Sequence, residues 1–90
     1  MNTAFLLMAQ YNAQAVIPAS SVVRDYFPHL TLDKFLRKVA IGEIKIPLLR
    51  IEAGSQKAAK GVHLTDLAEY LDARRAAAVK EAKQLAGASV

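Results

Sequence analysis

The chain has 90 residues, 53% of them hydrophobic, with twelve Lys and Arg against eight Asp and Glu, a net charge of +4. This length fits one small domain, and the apolar fraction excludes a chain that stays disordered. Because there is no cysteine, disulfides and thiolate metal sites are excluded, and no apolar run is long enough to cross a bilayer. We therefore expect a cytoplasmic protein whose basic excess permits a polyanionic partner without requiring one.

The N-terminal segment TAFLLMAQ is a short apolar run. It is too short for an independent helix and predicts a strand over residues 3–10. A second apolar run, from Ala15 to Ile17, ends at Pro18 and is a candidate partner for that strand.

Two short helices are predicted over about residues 20–41. The first runs roughly from Ser20 to Phe27, has apolar residues at helical spacing and stops at Pro28. The second begins at Thr31, a residue type that caps helix N-termini, and ends at Gly42, a typical residue just past a helix.

The second of these helices has an apolar face and a cationic face. A helical wheel places four apolar residues on one face: Leu32, Phe35, Leu36 and Val39. The opposite side carries Lys34, Arg37, Lys38 and Ile41, with Thr31 at the margin.

Residues 44–64 predict a β-hairpin followed by a long helix. The strand from Ile44 to Ile51 contains Pro47, which favours an edge position, and the return strand covers residues 62–64. The loop from Gly54 to Gly61 is small, polar and basic, and we expect its glycines to allow close approach to a partner. The last helix is predicted over about residues 65–86, with Thr65 as its cap.

The predicted order is strand, two helices, hairpin, helix, which indicates an α+β fold: a small winged helix-turn-helix domain spanning residues 1–90. In such a domain the second helix of the pair reads bases in the major groove, and the hairpin is a wing that contacts phosphates. The predicted recognition-helix contacts are Thr31, Lys34, Arg37 and Lys38. The predicted wing contacts are Ser55, Gln56, Lys57 and Lys60, and Arg24 is a candidate for the DNA backbone.

Other chemistry finds little support in the sequence. His29 and His63 are far apart and have no cysteine near them, so we expect no metal site and no cofactor. The acidic residues of the last helix suit its solubility and dipole rather than acid/base catalysis. No phosphate-loop or nucleophile-elbow pattern is present, and we expect no enzyme.

Several ordered blocks carry a family resemblance. LLMAQY, DYF, FLRKV with GEI, and SQKAAKGVHLTDLA resemble the pyocin activator protein (PrtN) family over Met1 to about Arg75. The central part is also similar to excisionase and MerR-like winged helices. The resemblance implies a transcriptional activator that binds promoter elements of pyocin-type bacteriocin genes. It further implies that Lys34, Arg37 and Lys38 face DNA and that Ser55, Gln56, Lys57 and Lys60 lie at the wing. Asn12-Ala13 departs from the glycine-rich turn expected there.

Two other functions remain open at this stage: an excisionase-like DNA-bending architectural factor, and a protein-interaction adaptor or anti-repressor. One winged helix buries little surface on DNA, so we expect a homodimer on double-stranded promoter DNA at the nucleoid. An activator also implies RNA polymerase as a partner.

Overall fold

The computed structural model describes residues 2–54 and 59–88 and confirms the α+β class. The described residues form four helices and a small three-stranded antiparallel sheet, on which the second and the fourth helix pack. In chain order the elements are α1 (Thr3–Gln10), β1 (Val16–Pro18), α2 (Ala19–Tyr26), α3 (Leu32–Ala40), β2 (Leu49–Arg50), β3 (Lys60–His63) and α4 (Leu64–Ala88).

The predicted N-terminal strand over residues 3–10 is wrong, because this segment is helix α1. Asn2 caps the helix, its side chain accepting a hydrogen bond from the Ala4 N–H at 2.7 Å. Leu7 and Tyr11, four residues apart and so on one helical face, are both buried. Thr3 donates a hydrogen bond to Asp72 of α4, so a partner distant in sequence holds the helix in place.

The helix α1 ends in an unusual turn. Asn12 and Ala13 both adopt positive φ, at 54° and 58°, and the Ala13 N–H donates to the Met8 carbonyl at 2.7 Å. This left-handed turn stands where the sequence departs from the glycine-rich pattern, and it leads into β1.

The sheet has the order β1-β3-β2, with both pairs antiparallel. Pro18 lies at the end of the edge strand β1, where its lack of an N–H is tolerated. The first hairpin strand is shorter than predicted: Ile44 and Ile46 are buried but lie outside the ladder, which holds only Leu49–Arg50 on that side.

The glycine Gly61 is part of the sheet rather than of the hairpin tip. It pairs with Pro18 on one side and Leu49 on the other. A Cβ there would lie 2.6 Å from Val16 Cγ1 and 2.8 Å from the Ile17 carbonyl oxygen. The expected role of Gly61 at the tip is therefore corrected: its missing side chain lets β1 pack on β3.

The two predicted central helices are confirmed as α2 and α3, joined by residues 27–31. Phe27 lies at their junction, with its ring centroid 5.1 Å from that of Phe35 and 5.9 Å from that of Tyr70. These aromatic contacts fix α2, α3 and α4 against one another.

Two local motifs delimit α3. The Thr31 hydroxyl accepts a hydrogen bond from the Lys34 N–H at 3.2 Å and caps the start. At the end, Gly42 has φ +81°, and its N–H donates to the Val39 carbonyl while the Glu43 N–H donates to the Lys38 carbonyl. This is the Schellman pattern, which confirms Gly42 as the helix stop.

The last helix starts one residue earlier than predicted, at Leu64. Thr65 is inside it, and its N–H donates to His63 Nδ1 at 3.1 Å, so the imidazole does the capping expected of Thr65. Leu64, Leu67 and Ala68 are buried, whereas the residues after Leu71 are largely exposed. We call this second part of α4, residues 72–88, the overhang; it is about 25 Å long at 1.5 Å per residue.

Candidate nucleic-acid interface

The outer face of α3 carries two free cations. Phe35 is fully buried and turns the opposite side of the helix to solvent, where Lys34 and Arg37 are exposed. Neither forms a salt bridge with a described residue, although Asp33 precedes Arg37 by one turn. The wheel prediction for these two side chains is consistent with the observed exposure, and both are positioned to meet an anion.

The other two residues of the predicted recognition helix, Thr31 and Lys38, each form a local contact that stabilises an end of α3. Thr31 is exposed, but its hydroxyl is occupied as the helix cap. Lys38 Nζ lies 2.9 Å from Glu43 Oε2, an ion pair that ties the end of α3 to the turn behind it. Because both side chains are about half exposed, Glu43 neutralises the positive charge of Lys38 only in part.

The hairpin places two cations opposite each other. Lys60 lies on β3 rather than at the tip, and its register partner on β2 is Arg50. Partners in register share one face of the ladder, and like charges in that position repel unless an anion lies nearby. Neither side chain forms a salt bridge with a described residue. Ser55, Gln56 and Lys57 lie outside the described residues.

The sequence reading missed Arg50. The residue lies in an apolar stretch, and nothing in the composition of LLRIE marks it as functional. Arg50 comes to lie opposite Lys60 only through the register of β2 against β3. Knowledge of that register is therefore what would have identified Arg50 from the sequence.

The candidate backbone contact Arg24 is committed to a neighbour. Its guanidinium makes two hydrogen bonds to Asp25, at 2.9 and 3.2 Å, and the Asp25 carboxylate also accepts one from the Tyr11 hydroxyl at 2.6 Å. The bonds from Arg24 and then from Tyr11 lower the pKa of Asp25. Burial, followed by the hydrogen bond to Asp25, raises the pKa of Tyr11. The cluster is locally neutral and joins α1 to α2, while the Arg24 side chain is still 70% exposed, so its contact with the DNA backbone stays a prediction.

A groove of about 700 Å³ runs between α4 and the segment that follows α3. Its walls include Asp66 and Glu69 of α4, the Lys38–Glu43 pair, and the aromatic rings of Phe27 and Tyr70. The lining also includes Lys45 and Arg74, so three Lys and Arg side chains balance three carboxylates and the groove carries no net charge.

The described residues offer neither a cluster of metal ligands nor a membrane-spanning helix. No group of three or more His, Cys, Asp or Glu side chains in residues 2–54 and 59–88 could hold a metal ion. In the same ranges no helix is both long enough and apolar enough to cross a membrane.

The model of the family described as pyocin activator protein PrtN matches residues 3–78. The chain belongs to the pyocin activator family. The match runs from the first residue of α1 into the overhang, so it includes α3 and the hairpin as well as the N-terminal helix. Comparison with curated proteins and with solved structures gave no significant match. Membership of this family indicates a role in activating pyocin genes. The family is one of transcriptional activators and is not a known class of enzymes.

Proposed function

We propose that this pyocin activator family member binds double-stranded promoter DNA and activates pyocin-type genes by recruiting or contacting RNA polymerase there. In this proposal α2, α3 and the β2–β3 hairpin act as a winged helix-turn-helix, with α3 in the major groove and the hairpin along the backbone. Such a protein would work on the nucleoid, in the cytoplasm.

The observation that carries the proposal is that two exposed cations on α3 form no salt bridge with any described residue. Lys34 and Arg37 lie on the solvent side of a helix whose other side is anchored by buried Phe35. Arg37 is the better base reader, because its planar fork matches the O6 and N7 atoms of guanine. Caps at both ends fix the backbone of this short helix, and with it the points from which these two side chains extend.

The hairpin supports the same proposal through a different feature. Arg50 and Lys60 face each other across the ladder, an arrangement that is unfavourable alone and becomes favourable when a phosphate lies between them. Contacts of this kind position the protein and strengthen binding to every sequence alike.

The test compares three substitutions in the full chain. Arg37→Ala should weaken binding to the preferred site and relax the sequence preference, at about 1 to 3 kcal/mol of lost discrimination. Lys60→Ala should weaken binding to all DNA to a similar degree and lower the salt slope by about 1. Lys83→Ala, an exposed cation on the overhang, is the matched control and should change little.

The outcomes separate the proposal from its competitors. If Arg37→Ala and Lys60→Ala behave alike, the division between reading helix and positioning hairpin is wrong. Equal affinity for promoter and scrambled DNA, with bending of the duplex, would favour an architectural factor. No binding at all would favour an adaptor.

A further inference from the structure

The centre of the outer face of α3 holds a carboxylate beside Arg37. Two positions along an α-helix correspond to a turn of about 200°, so Asp33 and Arg37, which lie two residues before and after Phe35, both point away from it. Phe35 is fully buried, and Asp33 and Arg37 are both exposed. Lys34 lies about 100° from Phe35 and therefore at the flank of this face. We call Asp33 and Arg37 the central pair.

The two charges of the central pair do not neutralise each other. Asp33 and Arg37 are four residues apart, a spacing at which opposite charges on a helix often pair. No salt bridge joins them, and Asp33 forms none with any other described residue. Both end groups are therefore available to a ligand that offers a hydrogen-bond donor to the carboxylate and an acceptor to the guanidinium.

A carboxylate on this face is unfavourable for DNA binding in general. The phosphates of a duplex repel it, so it lowers the affinity for every sequence that offers it no hydrogen-bond donor. Asp33 also lies in the first turn of α3, where it stabilises the positive end of the helix, but Asp66 has the same place in α4. That role carries no sequence preference. A favourable contact of Asp33 with DNA requires a donor on the DNA.

The major groove offers such donors on two bases. Cytosine presents its N4 amino group, whereas adenine presents its N6 amino group next to the N7 acceptor, which repels a carboxylate. Guanine and thymine present the acceptors O6, N7 and O4. Cytosine is thus the base that a carboxylate selects, just as guanine is the base that an arginine selects.

We propose that Asp33 is a specificity-determining residue of the DNA interface, whose carboxylate accepts a hydrogen bond from the N4 amino group of a cytosine. The assignment rests on the proposed function and deepens it, because it adds a second base to the one proposed for Arg37. Four residues of α-helix span about 6 Å, and successive base pairs are about 3.4 Å apart. The cytosine therefore lies one or two base pairs from the guanine that Arg37 reads.

The first experiment selects preferred sequences from a random-sequence duplex library with the full chain. The wild type should enrich a site in which a guanine and a cytosine lie within two base pairs of each other. Asp33→Asn should replace that cytosine by adenine, because the asparagine amide accepts from N6 and donates to N7. The guanine should be retained, since Arg37 is unchanged.

The second experiment measures dissociation constants on the selected site and on scrambled DNA of equal length. Asp33→Ala should weaken binding to the selected site at least about 5-fold, the cost of one lost base contact, and strengthen binding to scrambled DNA about 2-fold, because a repelling charge is removed. Asp66→Ala is the matched control: it removes the same charge from the first turn of α4 and should change both affinities alike. A role in helix stability alone would make Asp33→Ala weaken both complexes.

The outcomes distinguish a failure of this assignment from a failure of the proposed function. A wild type that enriches no sequence refutes both. If a site is enriched but Asp33→Asn still selects the cytosine, or loosens only the guanine, Asp33 reads no base, while DNA binding by α3 stands. Equal weakening of both complexes by Asp33→Ala would likewise overturn the assignment.

Discussion

The close packing of β1 on β3 makes Gly61→Ala a sharp test of the fold. The added Cβ would lie 2.6 Å from Val16 Cγ1 and 2.8 Å from the Ile17 carbonyl oxygen. Both distances are shorter than real Cβ contacts allow, and the second atom belongs to the backbone, so a rotamer change cannot relieve it. The strand β1 must move away from β3.

The expected loss combines two opposing terms. Overpacking of this kind destabilises by about 1 to 3 kcal/mol. Replacing glycine also restricts the unfolded chain and returns about 0.5 to 1 kcal/mol. From the middle of each range, the net loss should be about 1 kcal/mol, which lowers the Tm of a domain this size by about 4 to 8 °C.

The assay is thermal and urea unfolding followed by circular dichroism at one fixed protein concentration, because any dimerisation makes stability concentration-dependent. Gly87→Ala is the control, since a Cβ at Gly87 would meet nothing within 4 Å. In a helix that change is neutral or stabilises by up to about 1 kcal/mol. If Gly61→Ala unfolds within about 0.5 kcal/mol of the wild type, the account of the β1–β3 packing is wrong.

Three further predictions follow from particular residues. Ala13→Gly should stabilise the fold by about 0.5 to 1 kcal/mol in urea unfolding, because φ is 58° there, and a loss would contradict the left-handed turn. The hydrogen bond from Arg24 is the main cause that lowers the pKa of Asp25. The ionised carboxylate therefore stabilises the fold above its unfolded pKa near 4, and this stabilisation is lost as the pH falls through the lowered folded-state pKa. Asp25→Asn should make the unfolding midpoint less sensitive to acid, and a pH profile equal to that of the wild type would contradict this. Ile41 directly follows α3, four residues after Arg37, and is 63% exposed, so in the proposed function its side chain would meet a thymine methyl group in the major groove. Replacing thymine by uracil in the bound DNA should then weaken binding of the wild type more than that of Ile41→Ala, and equal effects on both proteins would contradict this contact.

Much of the central fold could be predicted from the sequence because its signals are local. Thr31 and Gly42 mark the ends of α3 through short-range hydrogen bonds, and the helical wheel separates Phe35 from Lys34 and Arg37. These features depend on residues a few positions apart, so the chain itself reveals them.

The parts that could not be predicted depend on distant contacts. The helix α1 is short and would be marginal alone, and its stability comes from packing on α4, including the bond from Thr3 to Asp72. Its apolar run therefore resembled a strand. In the same way, the placement of Gly61 in the sheet and of Arg50 opposite Lys60 requires the strand register, which no local pattern specifies.

The most direct test of the central claim is a DNA-binding titration of the wild-type protein at several salt concentrations. It compares DNA upstream of a pyocin-type operon with scrambled DNA of equal length and composition. If Arg37 reads bases while Arg50 and Lys60 meet phosphates, as proposed, binding to the upstream DNA should be tighter and the affinity should fall steeply with salt. Equal binding to both DNAs, or an affinity that does not change with salt, would contradict it.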